Sequence, residues 1–437
     1  MLARLTMVWV KVRDSLWFLP ALLTLLASGL AMLVVELEKR GVLALGDSDH
    51  WLLGGGAEGA RGVLSAIAGG LITVTGVVFS VTIVALQLAS SQFTPRVLRN
   101  FTADRSNQLV LGVFIGTFTY TLLVLRTVRS PTPDQEAFIP RIAVALAVGL
   151  VLLSIAFLIF FINHAARSIQ VSVILERVTR LTVQHTEKLF PETVGRPSEE
   201  EQLPEEMQQA EITAVSARQA GYLQAVDGKS LFELGESKRL VIRMERHIGE
   251  FVLPGQRLAS VWPAELLDEE VTKGIHQAFV LGPERTPEQD VEFGIIEIAD
   301  IAVKALSPGI NDPTTALHCL DRLGEVLLSL GTRFPPPDVR TREGHVHFIA
   351  CHLGFERAVG LAFDQIRHYG SDNPSVAKKM LDVLTSLERL VPEARRAPLR
   401  AQAERVLEEA REEIRNPPDL LAVERVPGRS RSAAGRR

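Results

Sequence analysis

A chain of 437 residues has room for two or three domains, and a hydrophobic content of 47% with a mean hydropathy of +0.18 is high for a water-soluble protein. A net charge of -4, with no basic helix carrying interleaved aromatics, argues against a polyanion-binding surface, so nucleic acid is not an expected partner. Two cysteines, Cys319 and Cys351, are too few for a disulfide framework and place the segment that holds them in a reducing compartment.

The hydrophobic excess lies at one end. Arg4, Lys11 and Arg13 precede an apolar run that is too long for a signal peptide and lacks a small-residue cleavage site, so 15–35 reads as a retained transmembrane helix. Residues 62–94 contain no charged side chain. At about 1.5 Å per residue that stretch exceeds a hydrocarbon core of roughly 30 Å. Four spans are expected, at 15–35, 62–92, 108–125 and 142–162, forming a transmembrane domain over 1–163 whose partner is the lipid bilayer. An even number keeps both termini on one side. Arg96, Arg99 and Arg105, the N-terminal basic residues, and Arg167, Arg177 and Arg180 make that side the cytoplasm, against Lys39, Arg40, Arg61, Arg126, Arg129 and Arg141 opposite.

Within the second span Ser65, Gly69, Thr73, Gly76, Ser80, Gln87 and Ser90 recur at steps of three and four, with bulky Ile83 in the same series. That spacing puts them on one helix face. Small and hydroxyl side chains there permit close helix packing within a protomer, or present Thr73, Ser80, Gln87 and Ser90 to a water-filled path in a ring of copies. The third span holds Gly112-x-x-x-Gly116, which lets two backbones approach, and the second span is a natural neighbour to press against it. No span carries an ionisable residue at its centre, which disfavours proton relays and charge-coupled pumping. Phe93-Thr94-Pro95 should end the second span in a turn before a short surface helix, RVLRNF.

The fourth span runs without Gly or Pro into an amphipathic stretch with Ile174, Val178, Leu181 and Leu189 on one stripe, so one long helix is expected to leave the membrane, its extension covering 164–190. An acidic linker follows over 191–213. Short alternating stretches over 214–262 predict a small β domain, and Gly249-Glu250-Phe251-Val252 with Gly255-Gln256-Arg257-Leu258 resemble the turn and strand of barrel-sandwich modules. The modified lysine of such carriers is absent.

A helical cytoplasmic domain is expected over 263–415. Residues 290–306 pattern with Phe293, Ile296, Ile301 and Leu306 inward and Glu292, Glu297, Asp300 and Lys304 outward. Then come Ser307, Pro308, Gly309, Ile310, Asn311 and Asp312: Pro-Gly breaks one helix, Gly309 supplies an unusual dihedral, and Asp312 caps the next helix, with Pro313 at its first position. The same corner is a candidate contact for a cytoplasmic protein or small ligand. HVHFIACHLG, from His345, reads as a strand or a helix start. His345, His347, Cys351 and His352 in it lack a usual zinc spacing. Asp364 and Arg367 can pair on one helix face, and 416–437 reads as a disordered tail.

The runs from Thr73 to Ser80 and from Leu86 to Arg96, together with Ala305 to Ala316 (ALSPGINDPTTA), resemble the bacterial membrane-protein family catalogued as domain of unknown function 2254. The resemblance extends over nearly the whole chain. It implies a four-span inner-membrane protein with a cytoplasmic C-terminal region, and it brings no established activity and no catalytic residue. No nucleophile motif, phosphate-binding glycine loop or paired-cysteine motif is present, so the expectation is a protein without catalysis, cofactor or metal. The expected fold is an α-helical membrane domain joined to an α+β region. Two functions compete: a homo-oligomeric channel-like passive path regulated by the cytoplasmic region, and a membrane-anchored sensor or scaffold.

Overall fold

The structure, a computed structural model, describes residues 13, 15–42, 56–92, 104–131, 137–168, 170–190, 212–333, 339–342 and 345–426. The expected turn at Pro95, the surface helix after it and nearly all of the acidic linker lie outside the described residues. Two compact units emerge, one ending at Gln170 and the other beginning at Val171.

The first unit contains four helices: α1 (Phe18–Lys39), α2 (Gly56–Gln92), α3 (Arg105–Leu125) and α4 (Arg141–Ser168). Among the described residues these four are long and apolar enough to cross a membrane. α3 is the central one, packing against the other three. Gly112 and Gly116 do mediate a close approach, but the partner is α1 rather than α2. A Cβ built on Gly112 would stand 2.5 Å from Leu23 Cδ1 and 3.2 Å from Pro20 Cα, and one on Gly116 would meet Ala27 Cβ at 3.4 Å. α2 instead meets α3 through Leu71 and Val78, packed with Val110, Leu111 and Phe114.

Polar ties fix one end of this bundle. The Glu38 carboxylate accepts the amides of Ile142 (2.7 Å) and Ala143 (3.0 Å), capping α4 from the end of α1. Arg61 donates to the Val128 carbonyl (2.9 Å) and the Ser130 hydroxyl (3.2 Å), and the Tyr120 hydroxyl donates to the Ala143 carbonyl (3.0 Å). At the other end Asp104 caps α3 by accepting the Ser106 amide and lies 3.0 Å from His164 Nε2.

The single helix expected to leave the fourth span is two. α4 stops at Ser168, whose hydroxyl donates to the Ala165 carbonyl, and α5 (Val171–Leu189) begins after Gln170, whose amide donates to the Arg167 carbonyl.

The second unit is mixed α/β. In chain order it holds β1 (Thr213–Ser216), β2 (Gly221–Val226), α6 (Gly228–Lys238), β3 (Val241–Met244), β4 (Phe251–Val252), β5 (Arg257–Trp262), α7 (Glu269–Ala278) and β6 (Phe279–Gly282). After these come α8 (Val291–Leu306), α9 (Pro313–Gly331), β7 (Val339–Arg342), β8 (His345–Ile349), α10 (Phe355–Gly370), α11 (Pro374–Leu390), α12 (Arg396–Glu413) and α13 (Pro417–Glu424).

The strands form a five-stranded sheet, β1-β5-β3-β8-β7, and a three-stranded sheet, β4-β2-β6; all pairs are antiparallel except β3 with β8. The β region is therefore not closed within 214–262. It takes strands from residues 279–282, 339–342 and 345–349, and a helix, α6, lies inside it. Leu223, Leu231, Ile242, Leu258, Ile275 and Phe348 meet in its core. HVHFI resolves as strand β8 because Phe348 and Ile349 pair with Ile242 and Arg243 and are buried there.

α8 is nearly covered on all sides, by α5, α9 and α10. Phe293 and Ile301 are buried as expected, whereas Glu292 and Glu297, expected on a solvent face, are buried at 4% exposure each. The tail also departs from expectation: residues 417–424 are the helix α13, which follows Asn416 and buries Val423 against α11 and α12. Asp364 and Arg367 do pair, at 3.6 Å, and Arg367 also meets Glu409.

Candidate functional site

Three places hold the residues that chemistry singles out. The first is the outer face of α2. Its packed side is the series Ala60, Leu64, Ala68, Leu71, Val78, Thr82 and Ala85, all buried. The polar stripe lies about one residue further along at successive turns, so it sits roughly 100° around the helix. Ser65, Gly69, Thr73, Gly76, Ser80 and Gln87 are all exposed, and no atom lies within 4 Å of a Cβ built on Gly69 or Gly76. The stripe therefore packs against none of the described helices of its own bundle. The Thr73 hydroxyl donates to the Gly69 carbonyl at 3.0 Å, which satisfies its proton and leaves its oxygen free to accept. The side chain of Ser90 lies outside the described residues.

The second is the corner between α8 and α9. Asp312 accepts the Thr315 amide (3.1 Å) and the Thr315 hydroxyl (2.6 Å), bonds that hold its carboxyl below the usual aspartate range. The left-handed residue is Asn311, with φ of 50°, and not Gly309. Asparagine tolerates that region, and its amide closes the turn on the Ser307 carbonyl at 2.9 Å. The Ser307 hydroxyl donates to the Lys304 carbonyl. Pro308, Gly309 and Ile310 project into solvent. The Ser307 hydroxyl, the Asp312 carboxylate and the Asn311 backbone amide are engaged in capping and turn bonds.

The third is a cavity of about 450 Å³ in the α/β unit, which sequence reasoning did not find. The end of α5 contributes Lys188 and Phe190, the first turn of α6 Gly228 and Lys229, the end of β3 Met244, the start of α8 Asp290 and Glu292, β7 Arg340, and β8 with its exit Phe348, Cys351 and His352. Its acids are fully engaged. Asp290 caps α8 through the Phe293 amide and takes Arg285 in a bidentate pair at 2.7 and 2.8 Å. Burial pushes the Asp290 carboxyl above the usual aspartate range, and Arg285 opposes that. Glu292 receives Arg357 at 2.5 Å and Arg285 at 3.4 Å.

The histidine and cysteine cluster is divided by the fold. Exposed His345 and half-buried His347, whose ring stands edge-on to Phe232, lie on β8, while Cys351 and His352 line the cavity. Among the described residues no three His, Cys, Asp or Glu side chains converge as metal ligands. Cys319 is fully buried, and burial pushes its thiol up.

Four long apolar helices followed by a mixed α/β unit define a multi-span α-helical membrane protein with a large extramembrane part. The chain belongs to the family described as predicted membrane protein, domain of unknown function 2254, whose model matches residues 13–386. It is 33% identical over 422 residues to the uncharacterized proteins Rv1290c of Mycobacterium tuberculosis and Mb1321c of Mycobacterium bovis, covering 94% of this chain and 79% of each relative. No solved structure matches it significantly.

Proposed function

We propose that the protein assembles as a homo-oligomer in the cytoplasmic membrane, with the polar face of α2 lining a passive path for ions or small solutes and the α/β unit regulating it from the cytoplasm. The observation that carries this reading is the uncovered stripe from Ser65 to Gln87. Acyl chains offer hydroxyl and amide groups no hydrogen bonds, and Gly69 and Gly76 leave the backbone bare on this face. Copies apposed through this face cover the bare backbone and give the hydroxyls and Gln87 water or a permeating solute to contact. The lack of ionisable residues along the stripe favours passage without coupling to protons. The arginine distribution supports cytoplasmic termini.

The test is reconstitution of the full chain in liposomes, with flux followed under varied voltage, tension and pH. Flux that Ser80→Leu and Gln87→Leu alter, from a protein that cross-links as an oligomer through cysteines placed at position 76 or 80, supports the reading. A monomer, or no flux under any of these conditions, overturns it.

A further inference from the structure

The cavity of the α/β unit is a built site whose chemistry is specific, and it owes nothing to the face of α2. Its two carboxylates, Asp290 and Glu292, are neutralised by Arg285 and Arg357, which approach from outside the lining. The charge left is positive: half-buried Arg340 on the wall, with exposed Lys188 and Lys229 at the edge of the cavity. Lys229 has only a loose, exposed contact with Glu233, at 3.7 Å. The first turn of α6, which carries Gly228 and Lys229, is capped by the Asp227 carboxylate, which accepts the Ser230 amide at 3.1 Å, so the positive charge on this side comes from the lysine and arginine side chains. The same lining carries an apolar side, Phe190, Met244 and Phe348, beside the polar His247, Gln289 and His352, with the Arg340 guanidinium 5.8 Å from the centre of the Phe348 ring. A volume of about 450 Å³ falls in the range of small-molecule sites.

We propose that this cavity binds a small organic anion: a carboxylate or phosphate held by Lys188, Lys229 and Arg340, attached to a flat or apolar body that lies against Phe348 and Met244. An inorganic anion would leave the apolar side wet, and a neutral apolar molecule would leave Arg340 and the two rim lysines without a counter-charge, so a molecule with both parts satisfies the site. Such a ligand joins α5 to both the sheet and the start of α8, and its binding stabilises that arrangement of the unit.

Cys351 provides the readout, because it lines the cavity while the other cysteine, Cys319, is fully buried. The full chain in lipid nanodiscs is titrated with dithiobis(nitrobenzoate), an aromatic dianion, and with neutral dithiodipyridine, and the released thiolate is followed. The Cys351→Ser variant gives the background. The expected result is a rate at Cys351 that saturates with the anionic reagent and exceeds that of the neutral one by about tenfold or more at low salt. Added salt should lower the rate of the anionic reagent alone. Lys229→Glu with Arg340→Glu should abolish both the saturation and the preference. A rate linear in reagent, a preference unchanged by salt and by the double variant, or no reaction at Cys351 overturns the proposal. The salt arm uses unaltered protein, so it decides the matter even where a variant folds poorly. A chain that conducts nothing across liposomes would leave this result standing.

Discussion

Gly112 of α3 lies directly against Leu23 of α1: a side chain at 112 would begin 2.5 Å from the Leu23 Cδ1 methyl and 3.2 Å from the Pro20 backbone. Two helices thus touch nearly backbone to backbone, and the contact continues one turn on at Gly116 and Ala27. Dispersion across such a contact is what holds helices together where lipid removes the hydrophobic difference. Replacing Gly112 with leucine forces the pair apart. The expected loss is about 1–3 kcal/mol, as for overpacking of a tight interior. Thermal unfolding in detergent should show it as an earlier transition.

The opposite outcome is expected at Gly76. Nothing stands within 4 Å of a Cβ there, so Gly76→Leu should leave the unfolding of a protomer within about 0.5 kcal/mol of the parent. Its effect should instead fall on assembly, seen as a shift toward monomer in cross-linking or mass photometry. A variant that unfolds early without changing its oligomeric state would show that the face packs inside the protomer.

Asp290 has 1% of its side chain exposed and takes both arms of Arg285, itself 15% exposed. Asp290→Ala removes a helix cap and leaves a guanidinium buried beside Glu292 alone. A loss of about 3 kcal/mol or more is expected from denaturant unfolding of the α/β unit within the full chain. Asp290→Asn keeps the cap acceptor and should cost less. Equal losses would assign the whole effect to the charge.

His185 on α5 is half-buried, and desolvation keeps its imidazole below the usual histidine range against the pull of Glu288. Its folded pKa lies below its unfolded one, so the unfolded chain binds the extra proton. Stability from this group is present above the unfolded pKa and is lost as pH falls through the window beneath about 6.5. Unfolding followed between roughly pH 5 and pH 8 should show stability rising with pH there. His185→Gln should flatten that slope. A slope unchanged in the variant would assign it to other groups.

Much of this architecture is legible locally. Uncharged apolar runs of about 18 residues or more marked all four candidate spans, because hydropathy needs no knowledge of neighbours. Asp312 announced its helix because a cap and the proline after it act within one turn. The small-residue spacing of Gly112 and Gly116 declared a close contact.

What the tertiary structure alone decided is which surfaces meet. The spacing of Gly112 and Gly116 carries no address, and the bundle directed it to α1, which left the face of α2 that opens this protein's functional question uncovered. Glu292 looked like a solvent residue in the helical pattern because its partners, Arg285 and Arg357, are unrelated to that period. β8 became a strand by pairing with β3, about a hundred residues earlier, which no local propensity encodes. The cavity arose in the same way, from α5, α6, α8 and β8 converging. Periodicity and caps are properties of a few consecutive residues, whereas a site built of distant segments exists only once topology has brought them together.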